Sequence, residues 1–264
     1  MLFLLTILLL VSASKQNEIP VKNNTNSRII GGFPAHINQF PCIAAINVEA
    51  PGMTWFCGGC LYGNQWLITA AQCVDGATQF TIRLGSANLS GTDPNRVTLS
   101  TSTYFMHPEY SPETLEHDIA LIKLHMPITY TDYVKPIDFL AMGDLGSGTD
   151  VCALGWGQTS DESSAVSETL QVAYLSSLSN DECKIYYGSQ IKDGMACVGG
   201  NYNEGTCHGD IGSPLVLLHP RGTAEHVGIA SFLSSNGCES TDPSGFTRTY
   251  FYKDWIRNTI DNNS

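Results

Sequence analysis

Residues 207–215 read C-H-G-D-I-G-S-P-L, a turn built to present one side chain. Gly209 and Gly212 flank Asp210 and Ile211, and Pro214 ends the turn. Glycines so placed supply unusual backbone angles or let another group approach closely. The side chain on display is isoleucine, which can donate no proton and attack no carbonyl. Cys57 and Cys60 form one C-x-x-C pair, but no matching Cys or His pair follows at zinc spacing. No metal and no cofactor are therefore expected. Sequons stand at Asn23, Asn88 and Asn262. Asn88 is the best glycan acceptor, because Asn262 sits almost at the terminus.

The elements that must position such a turn read as β. Phe80, Ile82 and Leu84 alternate with Thr81 and Arg83, the pattern of a half-buried strand. D-I-A-L-I-K-L at 118–124 and H-V-G-I-A-S-F at 226–232 are longer buried runs. Glycine and proline punctuate the chain at intervals suited to antiparallel barrels or sandwiches. Only the end looks helical: Tyr252, Trp255, Ile256 and Ile260 share one face at helical spacing. Residues 126–149 are weakly patterned and suit a connector between two β units.

The first fourteen residues, M-L-F-L-L-T-I-L-L-L-V-S-A-S, read as a secretory signal cleaved near Ala13 or Ser14. Nine cysteines in a secreted chain imply disulfides with one thiol left over. The net charge of −12 makes nucleic acid a poor partner, and no later run is long and apolar enough to make a membrane one.

Seven separated motifs lie in order: R-I-I-G-G at 28, W-F-C-G-G-C-L at 55, W-L-I-T-A-A-Q-C at 66, D-I-A-L-I-K-L at 118, G-W-G at 155, the stretch at 207, and I-A-S-F-L-S-S-N-G-C-E-S at 229. Together they resemble the chymotrypsin-like (trypsin-fold) serine proteases, and most of all the insect and crustacean chymotrypsin and collagenase branch. The resemblance implies two antiparallel six-stranded β-barrels, a cleft between them and a C-terminal helix. It divides the chain into a signal peptide (1–14), a propeptide (15–28) and a peptidase-like domain (29–264). Within that domain the first barrel would span about 29–125, the connector 126–149, the second barrel 150–250 and the helix 251–262.

Acyl transfer in that family needs a serine nucleophile, a histidine base and an aspartate that orients the base. By resemblance Asp118 supplies the aspartate. Gln72 stands where T-A-A-H-C would carry the base, and Ile211 stands at the nucleophile. An amide accepts no proton near neutral pH. Branched Ile211 should also crowd the space beside the Gly209 N–H, where an oxyanion would sit. Ser213, His208 and His117 are poor substitutes by position.

Other parts of the family pattern are kept. Arg28–Ile29 matches the activation cleavage site, and the freed amine of Ile29 would pair with Asp210. Gly205 maps to the pocket floor, Leu233 to its mouth and Ser244 to the facing wall, which suggests no preference for Lys or Arg. The resemblance implies Cys57–Cys73, Cys183–Cys197 and Cys207–Cys238 bridges. A Cys42–Cys60 bridge is plausible on neighbouring strands, leaving Cys152 free. The expectation is a secreted homologue without catalysis that binds an extracellular protein: a protease, a protease inhibitor or a protease substrate. An active endopeptidase with a non-standard nucleophile, or a secretory storage protein, are the alternatives.

Overall fold

The computed structural model describes residues 31–139, 145–200, 204–219 and 223–264. Arg28, Ile29, Asn23, the signal peptide and the whole propeptide lie outside these residues. The strands are β1 (Phe33–Pro34), β2 (Ile43–Ala50), β3 (Met53–Tyr62), β4 (Trp66–Thr69), β5 (Gln79–Leu84), β6 (Val97–Thr101), β7 (Tyr104–Met106), β8 (Ala120–Lys123), β9 (Asp138–Phe139), β10 (Asp150–Gly155), β11 (Gln171–Leu178), β12 (Met195–Gly199), β13 (Pro214–Leu218), β14 (Ala224–Phe232) and β15 (Ser244–Arg248). Two α-helices accompany them, α1 (Asn180–Tyr187) and α2 (Lys253–Asn263).

The alternation at Phe80, Ile82 and Leu84 becomes β5, with those three side chains buried and the intervening ones half exposed. The first sheet runs β6-β5-β2-β3-β4-β8-β7. The second runs β11-β10-β13-β14-β15-β12 and closes through a β11–β12 pairing, with β1 paired to β11 and β9 to β14. Only the second sheet is thus a closed six-stranded barrel. The first is a half-barrel, so the expected arrangement of two antiparallel barrel-like sheets and a C-terminal helix is present, with the first barrel open along one edge. Its end strands β6 and β7 are consecutive in sequence, so the chain itself spans the gap between them. Thr101 and Thr103 on either side of that gap both bond Lys123 of β8.

The C-terminal helix forms where its apolar face required. Tyr252 and Ile256 are buried, and Trp255 and Ile260 pack beside them, all against the core of the first sheet rather than the second. The Lys123 ammonium on β8 bonds the Asn263 carbonyl at the far end of α2. Helix α1 was not expected from sequence. Its start is a capping box: Ser179 Oγ accepts from the Glu182 N–H at 3.2 Å, and the Glu182 carboxylate accepts from the Ser179 N–H at 2.7 Å. The text S-N-D-E carried that signal.

All four anticipated disulfides form, Cys42–Cys60 included, with Cα–Cα distances of 5.0 to 6.1 Å. Cys152 is free and buried, and burial pushes its thiol up to about 12. That thiol is therefore inert as a nucleophile near neutral pH. No helix among the described residues is long and apolar enough to cross a membrane.

Candidate functional site

Asp118 opens the site from the first half of the chain. It is fully buried just before β8. Burial pushes its carboxyl up from the ordinary value, and hydrogen bonds from Ser231 and Gln72 pull the other way. Oδ1 accepts from the Gln72 N–H at 3.0 Å; Oδ2 accepts from the Gln72 amide at 2.6 Å and from Ser231 Oγ at 2.6 Å. The Asp118 carbonyl accepts from Thr247 Oγ1 at 2.7 Å. Ser231 lies on β14 and Thr247 on β15, so the second barrel holds Asp118 by one bond to its carboxylate and one to its carbonyl.

Gln72 sits in the 3₁₀ turn Ala71–Cys73 that follows β4. Its Nε2 donates to Asp118 and, at 2.8 Å, to the Ser231 carbonyl. Both partners are acceptors, which settles which end of the amide is nitrogen. Both N–H bonds are used, and the side chain bridges the two halves of the molecule. The remaining oxygen accepts hydrogen bonds but takes up no proton near neutral pH. Gln72 and Asp118 meet as the resemblance implied, whereas the contacts of Ser231 and Thr247 left no trace in the sequence beyond a serine within I-A-S-F.

Residues 207–213 form a turn tied at several points. The Asp210 N–H bonds the Cys207 carbonyl at 3.0 Å, the Ser213 N–H bonds Asp210 O at 2.9 Å, and the Gly212 N–H bonds Ala230 O at 2.8 Å. The Ile211 carbonyl accepts from the Gly58 N–H at 2.8 Å. Gly209 and Gly212 have φ of 96° and 84°. A Cβ on Gly212 would stand 2.3 Å from Thr69 Oγ1 and 2.4 Å from the Gly58 carbonyl. Gly212→Ala is therefore expected to destabilise the fold by about 3 kcal/mol or more, combining the left-handed backbone with an overlap against backbone. Urea unfolding measures it; a loss under about 1 kcal/mol would mean the turn relaxes freely.

The turn presents Ile211 half buried, packed against the core cluster that contains Cys57 and Cys73. The other candidates for chemistry point elsewhere. Ser213 is buried, with Oγ so close to Gly58 and Gly155 that a Cβ on those residues would meet it at 1.9 and 3.0 Å. His208 is exposed. The His117 ring bonds Tyr252 instead of Asp118, with Nδ1 3.2 Å from the phenol oxygen.

Asp210 is fully buried. It accepts from the Gly157 N–H at 2.7 Å and the Cys207 N–H at 2.9 Å, and burial pushes its carboxyl up to about 7. The motif G-W-G now has a physical reason. A Cβ at Gly155 or Gly157 would come within 2.1 or 2.2 Å of the Asp210 carboxylate.

At the expected pocket, Gly205 and Ser244 are buried neighbours. Ser244 Oγ accepts from the Thr206 N–H at 3.0 Å and would lie 2.9 Å from a Cβ on Gly205. Leu233 is half buried and packs on the Cys207–Cys238 disulfide. Asn88 is exposed, and its Oδ1 accepts from Thr169 Oγ1 at 3.1 Å.

Comparison with known proteins gives a consistent result. The trypsin family model matches residues 29–256. Brachyurin of Leptuca pugilator is 35% identical over 229 residues, covering 87% of this chain and 97% of that protein. Chymotrypsin-like elastase family member 1 of Bos taurus is 35% identical over 247 residues, covering 90% and 92%. A solved structure titled as HL collagenase superposes with a TM-score of 0.78 at 31% identity, covering 88% of this chain and 99% of that one. The chain belongs to the trypsin family of serine proteases.

Proposed function

We propose that this protein is a secreted trypsin-family homologue without peptidase activity, which binds an extracellular protein through the surface its relatives use for catalysis. The observation that carries this reading is Gln72. Its amide occupies the hydrogen bonds to Asp118 and Ser231 and leaves no group able to take a proton from a nucleophile. Ile211 supports it from the other side, since the turn that should present a nucleophile presents a hydrocarbon. Four disulfides suit an oxidising compartment and agree with secretion.

A bound protein in this reading is a protease, a protease inhibitor or a protease substrate. Tight association of inhibitors with such surfaces rests on a complementary interface of standard size rather than on bond formation. The protein would then act as cofactor, mask or decoy.

Protein cleaved after Arg28 and treated with a fluorophosphonate probe is expected to stay unlabelled and to turn over no peptide substrate. Specific labelling of any residue would overturn the reading. Binding is tested by passing a panel of protease inhibitors and active proteases over the immobilised protein. Saturable capture of a member of either class is the expected result.

A further inference from the structure

Away from the cleft, three ligand-type side chains converge on one point. A nitrogen of His107, a nitrogen of His117 and a carboxylate oxygen of Glu109 all lie within 4.8 Å of one another. We propose that these residues form a site for a divalent cation of the zinc class. Two imidazoles and a carboxylate are the donor set that zinc takes at neutral pH, with a fourth position open to water or to a donor from another molecule.

The surroundings fit such a role. His107 is buried, its ring flanked by Trp255 at 5.1 Å and Tyr252 at 5.4 Å between centroids, while Glu109 is exposed and His117 half buried. An ion would therefore enter from the Glu109 side. His117 takes a left-handed backbone with φ of 58°, as does Leu115 at 57°. These bends bring His117 back over His107. The two rings stack 9° from parallel with centroids 4.8 Å apart.

Imidazole nitrogens bind an ion in the ring plane, so the rings must fan open to share one. That motion requires the His107 ring to shift against Trp255 and Tyr252, while its polar contacts yield readily. Ligation through either nitrogen of His107 releases its bond from the Glu109 N–H, which is long at 3.3 Å. Tyr252 already sits on His117 Nδ1 at 3.2 Å, as an outer partner should when Nε2 binds the ion and Nδ1–H must donate. The ion would join the residues just after β7 to those just before β8, next to Asp118, with Tyr252 of the turn into α2 as an outer partner. It requires neither activity nor inactivity at Gln72, so the two proposals stand or fall separately.

The test uses the full secreted chain, stripped with a chelator and titrated calorimetrically with zinc chloride in a non-coordinating buffer. One ion per chain with micromolar or tighter affinity is expected, with a rise in thermal midpoint on saturation. His117→Asn keeps a residue tolerant of left-handed backbone and is expected to weaken binding by roughly a hundredfold or more, since even outer partners cost about 10- to 100-fold. Glu109→Gln, on the exposed edge, should weaken it at least severalfold. His125→Asn should leave it unchanged. Cobalt(II) should give the visible bands of a four-coordinate site in the parent and not in His117→Asn. Absence of saturable zinc uptake, or uptake that His117→Asn leaves intact, overturns the proposal.

Discussion

Gln72→His and Ile211→Ser introduced together, in protein cleaved after Arg28, are expected to create peptidase activity where the parent has none. The hydrogen bonds at Asp118 explain why both changes are needed. An imidazole at position 72 would place an N–H where the Gln72 amide now donates to Asp118, and would leave its other nitrogen free to take a proton. A serine at 211 would supply that proton from a turn whose backbone is already tied to Ala230 and Gly58. Groups of this kind act as a unit, and loss of either nucleophile or base costs about a millionfold in turnover. Each single variant should therefore remain at the floor, and only the double variant should rise by several orders of magnitude. Active-site titration with a fluorophosphonate counts the competent sites directly. A double variant that folds, is cleaved after Arg28 and stays unlabelled would show that the cleft has drifted beyond the two side chains.

The second large effect concerns Asp210 and pH. In the structure its carboxyl is pushed up from the ordinary 3.8 to about 7 by burial. A folded value above the unfolded one means that the folded state holds its proton more tightly. Stability is then present below about 4 and lost as pH rises toward 7, by on the order of 4 kcal/mol. His226 opposes it. Burial lowers that imidazole to about 3, so the unfolded chain binds its proton more tightly, and stability rises as pH climbs from about 3 to 6.5. Between pH 4 and 6.5 these two slopes oppose each other in the uncleaved protein, while the raised Asp118 carboxyl and the lowered His107 imidazole add slopes of their own. Asp210→Asn removes one of them. Relative to the parent it should gain about 4 kcal/mol across that range, read as the difference between two urea-unfolding series. A difference that stays constant with pH would refute the elevated carboxyl. In protein cleaved after Arg28, an amine paired with Asp210 should shrink the difference.

Sequence carried the local part of this molecule well. The period-two run at Phe80, Ile82 and Leu84, and the apolar face from Tyr252 to Ile260, are imposed by the elements they form. Such patterns survive without knowledge of the rest of the fold. Pairings of distant groups left weaker traces. Ser231 and Thr247 reach Asp118 from 113 and 129 residues away, and no spacing announces such contacts. The glycines of G-W-G were legible as a motif, but the carboxylate that excludes a Cβ there comes from Asp210. His107 and His117 meet only because two residues between β7 and β8 take left-handed conformations, and neither is a glycine that would advertise it. The open edge of the first sheet was equally hidden, since no pattern in the sequence marks β6 and β7 as its two ends.

The helix at the end of the chain carries a consequence for synthesis. Ile256, fully buried, belongs to the core of the half-barrel made mostly by residues 43–123. A ribosome emits the strands of that half-barrel long before the helix that seals them. During that interval the first half is a sheet with an uncovered apolar face, the kind of transient species that aggregates or recruits chaperones. Completion of the first half-barrel thus waits for residues made more than a hundred positions after its last strand. A nascent chain stalled before Tyr252 should remain protease-sensitive in its first half, although every strand of that half has already left the ribosome.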